Sequence, residues 1–217
     1  NETGYANLCH ILTAAHSADR ETPAVPIDII STFNNHLFCL TGGKEGTVWH
    51  LMSNKKTGEA ERWLRRLHTI FRDRLYIELC HTLEYGAGRV IDQLYRLSVS
   101  MNIPVVASNN VRHAVAEDYV LSDLLTCIGL GHSVDEPHLD RPKNAEAYLK
   151  NEKALKKLIP YEVAFENTMI IANACHIDLV PEHITPPKAR LPDNISPRAY
   201  LNQICSEALL EKYAVTH

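Results

Sequence analysis

The sequence has no two cysteines at Cys-x-x-Cys spacing, although six cysteines are spread along its 217 residues. This absence argues against a zinc knuckle and against a disulfide framework. Several of the cysteines stand inside apolar periodic runs, where a thiol behaves as a small buried hydrophobic side chain. Free cysteines of this kind are typical of a reducing compartment, so we expect a cytoplasmic protein.

Strong charge of one sign and long apolar runs are also lacking. The formal net charge of −4 argues against a stand-alone nucleic-acid-binding protein, because contacts to phosphates need a clustered positive surface. The apolar runs fall far short of the roughly 20 residues that span a membrane. A basic and then apolar leader is not found at the start of the sequence either. We therefore expect a protein without a membrane segment.

The composition otherwise suits a folded domain with an appendage. The sequence is 45% hydrophobic and 22% charged, which is ordinary for a globular protein. Residues 1–178 alternate strand-like and helix-like segments, a pattern that predicts α/β architecture with a parallel sheet. Residues 179–217 begin rich in proline and then resume helical spacing. We expect an extended linker there, followed by a terminal helix from Ser196 to about Tyr213.

The clearest pattern lies between Arg74 and His113. It predicts a strand over 75–79, a helix over 90–101 and a second strand over 103–108, with a crossover long enough to make the strands parallel. Open α/β sheets and barrels place their chemistry where such strands end. Polar residues follow both predicted strands, and they form the candidate site: Cys80, His81, Asn109, Asn110, Arg112 and His113.

Helical spacing and chain breakers predict the elements around this unit. We expect a buried strand over 37–40 and helices over 1–16, 27–33, 46–52, 60–71, 116–128, 150–158 and 161–174. The helix over 116–128 should turn five aliphatic side chains inward, namely Val120, Leu121, Leu124, Leu125 and Ile128. The acidic residues and the histidine of segment 131–143 match no calcium-binding spacing, so we interpret it as a surface loop.

Several stretches together resemble one protein family across nearly the whole sequence. Gly4-Tyr5-Ala6-Asn7-Leu8-Cys9 is similar to the GY-x-NL segment of bacterial C-family DNA polymerases, the polymerase III alpha subunits. The same order of elements continues at Leu40-Thr41-Gly42-Gly43, Asp73-Arg74-Leu75-Tyr76-Ile77-Glu78-Leu79 and Pro104-Val105-Val106-Ala107-Ser108-Asn109. Matches at Leu125-Thr126-Cys127-Ile128, Asn144-Ala145-Glu146 and Glu166-Asn167-Thr168 are most similar to the error-prone branch.

This resemblance implies the polymerase and histidinol phosphatase (PHP) domain, a distorted (β/α)7 barrel that would be partial here. In that family, His, Asp, Glu and Cys side chains at the strand ends hold metal ions that activate water and stabilise charge on a phosphoester. Zinc, manganese or magnesium would be the cofactor of an intact site. The first metal motifs of the family precede its Gly-Tyr segment. We therefore expect 1–178 to be the C-terminal portion of the PHP domain and 179–217 to lead to the polymerase palm.

The family positions that remain predict a degenerate metal site. His81 stands where the family usually has a metal-binding histidine, with a hydrogen-bonded polar residue as the alternative. Asn110 and Arg112 stand where intact members have Asp and His; an amide is a weak ligand, and a guanidinium cannot donate a lone pair. Glu78 and His113 are candidates for outer contacts to the metal ligands, although His113 should point away from Arg112 on an extended segment. A further hypothesis is that Arg112 pairs with acidic residues and replaces the charge of a metal.

The resemblance implies three alternatives for function. The first is a fragment of a DNA polymerase III alpha subunit of the error-prone type, with this domain mainly a scaffold that has no catalytic residue of its own. The intact chain would be a DNA-directed DNA polymerase in replication or translesion repair. Its partners would be the remaining polymerase domains in cis, DNA, and replication or repair subunits. The second alternative is a stand-alone metal-dependent phosphoesterase similar to histidinol phosphatase, and the third is a non-catalytic interaction module.

Overall fold

The computed structural model of the chain divides into two units, Asn1–Ile177 and Asp178–His217. It describes residues 1–18, 22–178, 189–192 and 194–213. The strands are β1 (Cys39–Leu40), β2 (Leu75–Cys80) and β3 (Val105–Ser108). The helices are α1 (Glu2–Ala18), α2 (Ile27–Thr32), α3 (Thr47–Ser53), α4 (Thr57–Phe71), α5 (Ala87–Met101), α6 (Tyr119–Leu130), α7 (Glu152–Lys156), α8 (Glu162–Ala174) and, in the second unit, α9 (Pro197–Tyr213).

The three strands form a parallel sheet in the order β1-β2-β3, which confirms the predicted α/β architecture with parallel strands. β2 pairs with β3 from Ile77 opposite Val105 to Cys80 opposite Ser108. All of β2 except Glu78 is buried, as expected for a parallel strand that helices cover. The sheet therefore brings the carboxyl ends of the three strands to one edge.

Helices α4 and α5 confirm the predicted helices on either side of β2 and supply much of the core. Their apolar residues recur three and four positions apart, which places them on one stripe of each helix. The buried members of these stripes are Ala60, Leu64, Leu67 and Phe71 in α4 and Val90, Ile91, Leu94 and Leu97 in α5. Full burial of a large apolar side chain stabilises a fold by about 1.5–3 kcal/mol.

The prediction of a buried strand over 37–40 is wrong in both length and burial. β1 contains two residues, and the Leu40 side chain is 41% exposed. Within the part of the chain that the structure describes, β1 pairs with β2 alone. An edge strand has a neighbouring strand on one side only. The apolar character of this short run therefore does not ensure that its side chains are buried.

Helix α6 exists as predicted, but the prediction that its aliphatic side chains face inward is wrong. The five residues are exposed: Val120 by 73%, Leu121 by 57%, Leu124 by 42%, Leu125 by 60% and Ile128 by 66%. Polar contacts attach the helix instead to the loop that follows it. Arg141 donates two hydrogen bonds to the Asp123 carboxylate, at 2.9 and 2.6 Å, and the Tyr119 hydroxyl donates to the Pro142 carbonyl at 3.0 Å.

Helix α8 packs on β3 through hydrogen bonds as well as apolar contacts. The buried Asn167 side chain donates to the Val105 carbonyl at 2.8 Å, and the Thr168 hydroxyl donates to the Ala107 carbonyl at 3.3 Å. Ala164 on the same helix is fully buried. Because buried carbonyls require partners, these two side chains stabilise the β3 backbone as well as the helix position.

Helix α1 lies against the loop after α2 at a very short distance. The Gly4 N–H donates to the Asn1 side chain at 3.0 Å, and the Asn7 side chain donates to the Asn35 carbonyl at 2.8 Å. A Cβ atom on Gly4 would stand 2.3 Å from the His36 carbonyl oxygen. Only glycine leaves room for this approach.

The six cysteines are free thiols, and the prediction that several of them are small buried side chains is confirmed for two. Cys80 and Cys127 are buried, Cys39 is half-buried, and the remaining three are exposed: Cys9, Cys175 and Cys205. Burial raises the pKa of the Cys39 thiol to about 11. Among the described residues, no helix is both long enough and apolar enough to cross a membrane.

The second unit contains the predicted terminal helix. Helix α9 follows Ser196, whose hydroxyl accepts a hydrogen bond from the Ala199 N–H at 3.3 Å. This is the N-cap contact that the Ser-Pro pair predicts. The predicted extended linker falls largely on 179–188, outside the described residues.

Candidate functional site

Glu78 connects the ends of the three strands. Its carboxylate accepts hydrogen bonds from the Gly42 N–H at 3.1 Å, beyond β1, and from the Ser108 hydroxyl at the end of β3. The Glu78 N–H in turn donates to the Thr41 hydroxyl at 3.0 Å. The Leu-Thr-Gly-Gly stretch thus wraps around Glu78, which in this structure links the strand ends.

His81 follows β2 and is half-buried. Its Nδ1 accepts a hydrogen bond from the Leu83 N–H at 3.0 Å, which places the ring proton of the neutral form on Nε2. That Nε2 lies 3.7 Å from the position of a Cβ atom on Gly88, at the start of α5. Burial, and secondly the charge of Lys150, lower the pKa of His81, so both effects favour the neutral ring. A metal at Nδ1 would have to displace the Leu83 N–H.

Cys80, the last residue of β2, lies at the same edge and is buried. Burial raises the pKa of its thiol, and a hydrogen bond with Ser108 offsets this only in part. The thiolate is the form of cysteine that binds metals and acts as a nucleophile. The Cys80 environment therefore favours the less reactive, protonated thiol.

The residues after β3 have different partners. Asn110 is exposed and has a positive φ of 46°, a conformation that asparagine tolerates better than most residues. The Arg112 guanidinium lies 3.6 Å from the Glu45 carboxylate. His113 donates from Nδ1 to the Val115 carbonyl at 2.8 Å. The structure thus brings Arg112 near one acidic residue, but the side chains are 57% and 70% exposed, which limits the strength of the pair.

A cleft of about 610 Å³ opens at this edge and is lined in part by Asn110, Arg112 and Cys80. Its charged lining residues are Lys44, Arg112, Arg141 and Lys143 with Glu45, Glu84 and Asp140. Most of these charges compensate one another: Glu84 contacts Lys44 and lies 3.9 Å from Lys143. The lining therefore does not present a concentrated charge of either sign.

Segment 144–150 runs across the strand ends, and the sequence did not predict this role. The Asn144 side chain donates to the Thr82 carbonyl at 2.8 Å, just beyond β2. Farther along, the Lys150 ammonium approaches the Asn109 side-chain oxygen at 3.4 Å, just beyond β3. Residues 109 and 150 are far apart in the sequence, so no local pattern indicates this contact.

The described ranges contain no group of three or more His, Cys, Asp or Glu side chains arranged to hold a metal ion. A protein metal site needs about three ligands with free lone pairs at one point. Here the Nδ1 of His81 is engaged, Glu78 links strands, and His113 bonds to a carbonyl. These candidate residues lie near one sheet edge without converging on a common point.

Comparison with known proteins places this geometry in context. Residues 1–82 match the PHP domain family. The chain is 30% identical to the error-prone DNA polymerase of Symbiobacterium thermophilum, over 97% of this chain and 21% of that protein. It is 28% identical to DNA polymerase III subunit alpha of Pseudomonas aeruginosa, over 99% of this chain and 19% of that protein. The corresponding Escherichia coli subunit is 26% identical over 99% of this chain and 19% of its own length.

These matches confirm the resemblance to the PHP domain and to DNA polymerase III alpha subunits, including the error-prone polymerases. The alignments extend over nearly all of the chain, so they include residues of both units. The chain spans about a fifth of the length of the curated relatives it matches.

Proposed function

We propose that this chain is a segment of a bacterial DNA polymerase III alpha subunit of the error-prone type. The observation that carries the proposal is a similarity to an error-prone DNA polymerase that covers 97% of the chain. In this proposal, residues 1–178 are the C-terminal portion of the PHP domain, and the three-stranded sheet is part of its distorted (β/α)7 barrel. Residues 179–217 lead to the palm.

The PHP portion acts in this proposal as a scaffold, and its metal site is degenerate. The residues at the strand ends do not fit a metal centre, because Asn110 and Arg112 supply a neutral amide and a cation where ligands are needed. His81 has its Nδ1 lone pair engaged by Leu83. The buried ammonium of Lys150 adds positive charge beside these groups, which further disfavours a divalent cation. Glu78 and His113 form hydrogen bonds with other protein groups, and neither orients a metal ligand.

The activity of the intact protein is then template-directed DNA synthesis in the cytoplasm, during replication or translesion repair. Its chemistry takes place in the palm, where paired carboxylates hold the metal ions for phosphoryl transfer. The other polymerase domains are its partners in cis, and DNA and replication or repair subunits bind the intact chain.

Metal content and phosphoesterase turnover test the proposal against a stand-alone phosphoesterase. The purified chain and its His81→Ala variant are incubated with zinc, manganese or magnesium, dialysed and analysed for bound metal. Hydrolysis of p-nitrophenyl phosphate is measured on the same samples. We expect substoichiometric metal in both proteins and no turnover. Stoichiometric metal with turnover, both lost in His81→Ala, would establish a working metal site and contradict the scaffold role.

The polymerase assignment has its own test in the complete gene. We expect the reading frame to continue into a palm with paired catalytic carboxylates, and the full-length product to extend a primer on a template. Removing those carboxylates should abolish extension, whereas His81→Ala should leave it unchanged. A frame that encodes no palm would exclude the polymerase reading.

A further inference from the structure

Lys150 is a buried cation at the edge of the sheet. Its side chain is 3% exposed, which is rare for lysine unless the ammonium has partners. The partners are present: the ammonium lies 3.0 Å from the Glu146 carboxylate and also donates to the Glu146 backbone carbonyl. It approaches the Asn109 side-chain oxygen at 3.4 Å and lies 4.1 Å from the centre of the Tyr148 ring. A charge with this many contacts stabilises the groups around it.

The segment that carries Lys150 joins two strand ends. At its start, Asn144 bonds to the Thr82 carbonyl beyond β2. In its middle, the Ala147 carbonyl accepts from the N–H groups of Arg112 and His113, at 2.7 and 3.3 Å. Near its end, the Leu149 N–H donates to the His113 carbonyl at 3.2 Å. These bonds surround an isolated parallel bridge between His113 and Tyr148, which fastens the segment to the chain just beyond β3.

Asn109, directly after β3, binds the same segment through its side chain. Its side-chain nitrogen donates to the carbonyls of Glu146 and Tyr148, at 3.2 and 2.6 Å, while its oxygen faces the Lys150 ammonium. Asn109 is buried, so both ends of its amide are satisfied within the protein. The ammonium also lies close enough to His81 to lower the pKa of that ring. One cation thus influences groups after β2 and after β3.

We propose that residues 144–150 form a clip across the ends of β2 and β3, and that the Lys150 ammonium is the internal cation that holds the clip closed. Its charge binds Glu146 within the clip and Asn109 just beyond β3, while Asn144 holds the other end just beyond β2. The role of the Asn109 side chain is then to bind this lysine and the clip backbone. The proposal rests on these contacts and not on the identity of the whole protein.

Three substitutions separate the charge of Lys150 from its apolar stem. Lys150→Met keeps a long flexible apolar side chain over Tyr148 and removes the charge. Lys143→Met is the matched control, because Lys143 lines the neighbouring cleft but is 65% exposed. Glu146→Gln keeps the ammonium and neutralises its partner, so it tests the same ion pair if Lys150→Met does not fold.

Urea unfolding and amide hydrogen exchange of the complete chain provide the measurements. We expect Lys150→Met to raise the unfolding equilibrium constant at least about tenfold, because it leaves Glu146 and Asn109 without their cation. Lys143→Met should change it by less than about twofold. Exchange should accelerate at the amides of Arg112, His113 and Leu149 by more than at the Ile77 amide within the sheet, in Lys150→Met and to a smaller degree in Glu146→Gln.

Two results would overturn the clip. One is a stability of Lys150→Met equal to that of Lys143→Met, which would mean that the stem alone matters. The other is acceleration at Arg112, His113 and Leu149 no greater than at Ile77, which would mean that the lysine does not act on the clip. Neither result depends on metal content or primer extension, so the clip and the proposed polymerase role succeed or fail separately.

Discussion

Helices α5 and α6 have similar apolar spacing and opposite surroundings. In α5, Val90, Ile91 and Leu94 are at most 4% exposed, and the helix packs on β2. In α6, Leu121 and Leu125 recur at the same spacing but are 57% and 60% exposed. Spacing identifies a helix and its faces, because both depend on residues three or four positions apart. Whether a face is covered depends on distant parts of the chain, which the local pattern does not contain.

Among substitutions that compare the two helices, Leu94→Ala in α5 should produce the largest loss of stability. Leu94 is 1% exposed, so its truncation leaves a cavity in the core. We expect the free energy of unfolding to fall by about 2–5 kcal/mol, measured by urea denaturation with circular dichroism. A loss below about 1 kcal/mol would contradict the packing of α5 on the sheet.

Asp123→Asn in α6 should produce a smaller, pH-dependent loss, because polar contacts attach this helix. The hydrogen bonds from Arg141 hold the pKa of Asp123 below its ordinary range. The carboxylate therefore stabilises the folded state above the ordinary aspartate pKa of about 3.9, and this contribution disappears as the pH falls through the lower pKa of the folded protein.

Denaturant midpoints of the wild-type protein and Asp123→Asn, measured from about pH 7 to about pH 2, test this expectation. The two curves should converge in acid. Asp140→Asn is the control, since Asp140 lies on the same loop with a side chain 74% exposed. A difference between wild type and Asp123→Asn that is constant over the whole range would show that the ion pair does not attach α6.

The C-terminal ends of α5 and α6 are more alike than their apolar faces. Gly131→Ala measures how much the end of α6 contributes to stability. Both helices end at a left-handed residue, Asn102 after α5 and Gly131 after α6, where φ is 53° and 68°. A Cβ atom at Gly131 meets nothing within 4 Å, so the expected loss of about 1 kcal/mol comes from backbone strain alone.

Gly58→Ala in the first turn of α4 should instead raise the free energy of unfolding, because alanine favours a helix more than glycine does. A loss of stability there would contradict a helix that begins at Thr57.

Leu125→Ala in α6 should have the smallest effect and is the counterpart of Leu94→Ala. Its side chain is 60% exposed, so truncation should change the free energy of unfolding by no more than about 0.5 kcal/mol. The same urea titration measures it. A loss approaching that of Leu94→Ala would mean that this face of α6 is covered in solution.

The strand-helix-strand unit could be predicted because its signals are local. The apolar runs of β2 and β3 and the spacing of α5 each lie within a short window, and the crossover has the length that a parallel pair of strands needs. The position of the candidate site at the strand ends follows from the same argument. The exposure of Leu40 and of the α6 aliphatic residues could not be predicted, since it depends on whether distant elements cover them.

The contacts made by the side chains of the candidate site could not be predicted from the sequence either. The sequence predicts His81 as a ligand candidate, but its hydrogen bond with Leu83 depends on the backbone conformation after β2. The sequence predicts Lys150 as the first residue of a helix over 150–158, and its contact with Asn109 spans 41 residues. A lysine is expected to be solvated, because burial of its charge requires partners that only the folded chain supplies.

The close contact at Gly4 explains why the Gly-Tyr stretch needs glycine as its first residue. With the His36 carbonyl oxygen 2.3 Å from the place of a Cβ atom, the residue at this position sets the separation between α1 and the loop that leads into β1. Any side chain there would push the helix outward and weaken the Asn7 to Asn35 hydrogen bond beside it. In a motif of this kind, the glycine specifies a distance between two backbones, and the residues that follow it supply the contacts which that distance allows.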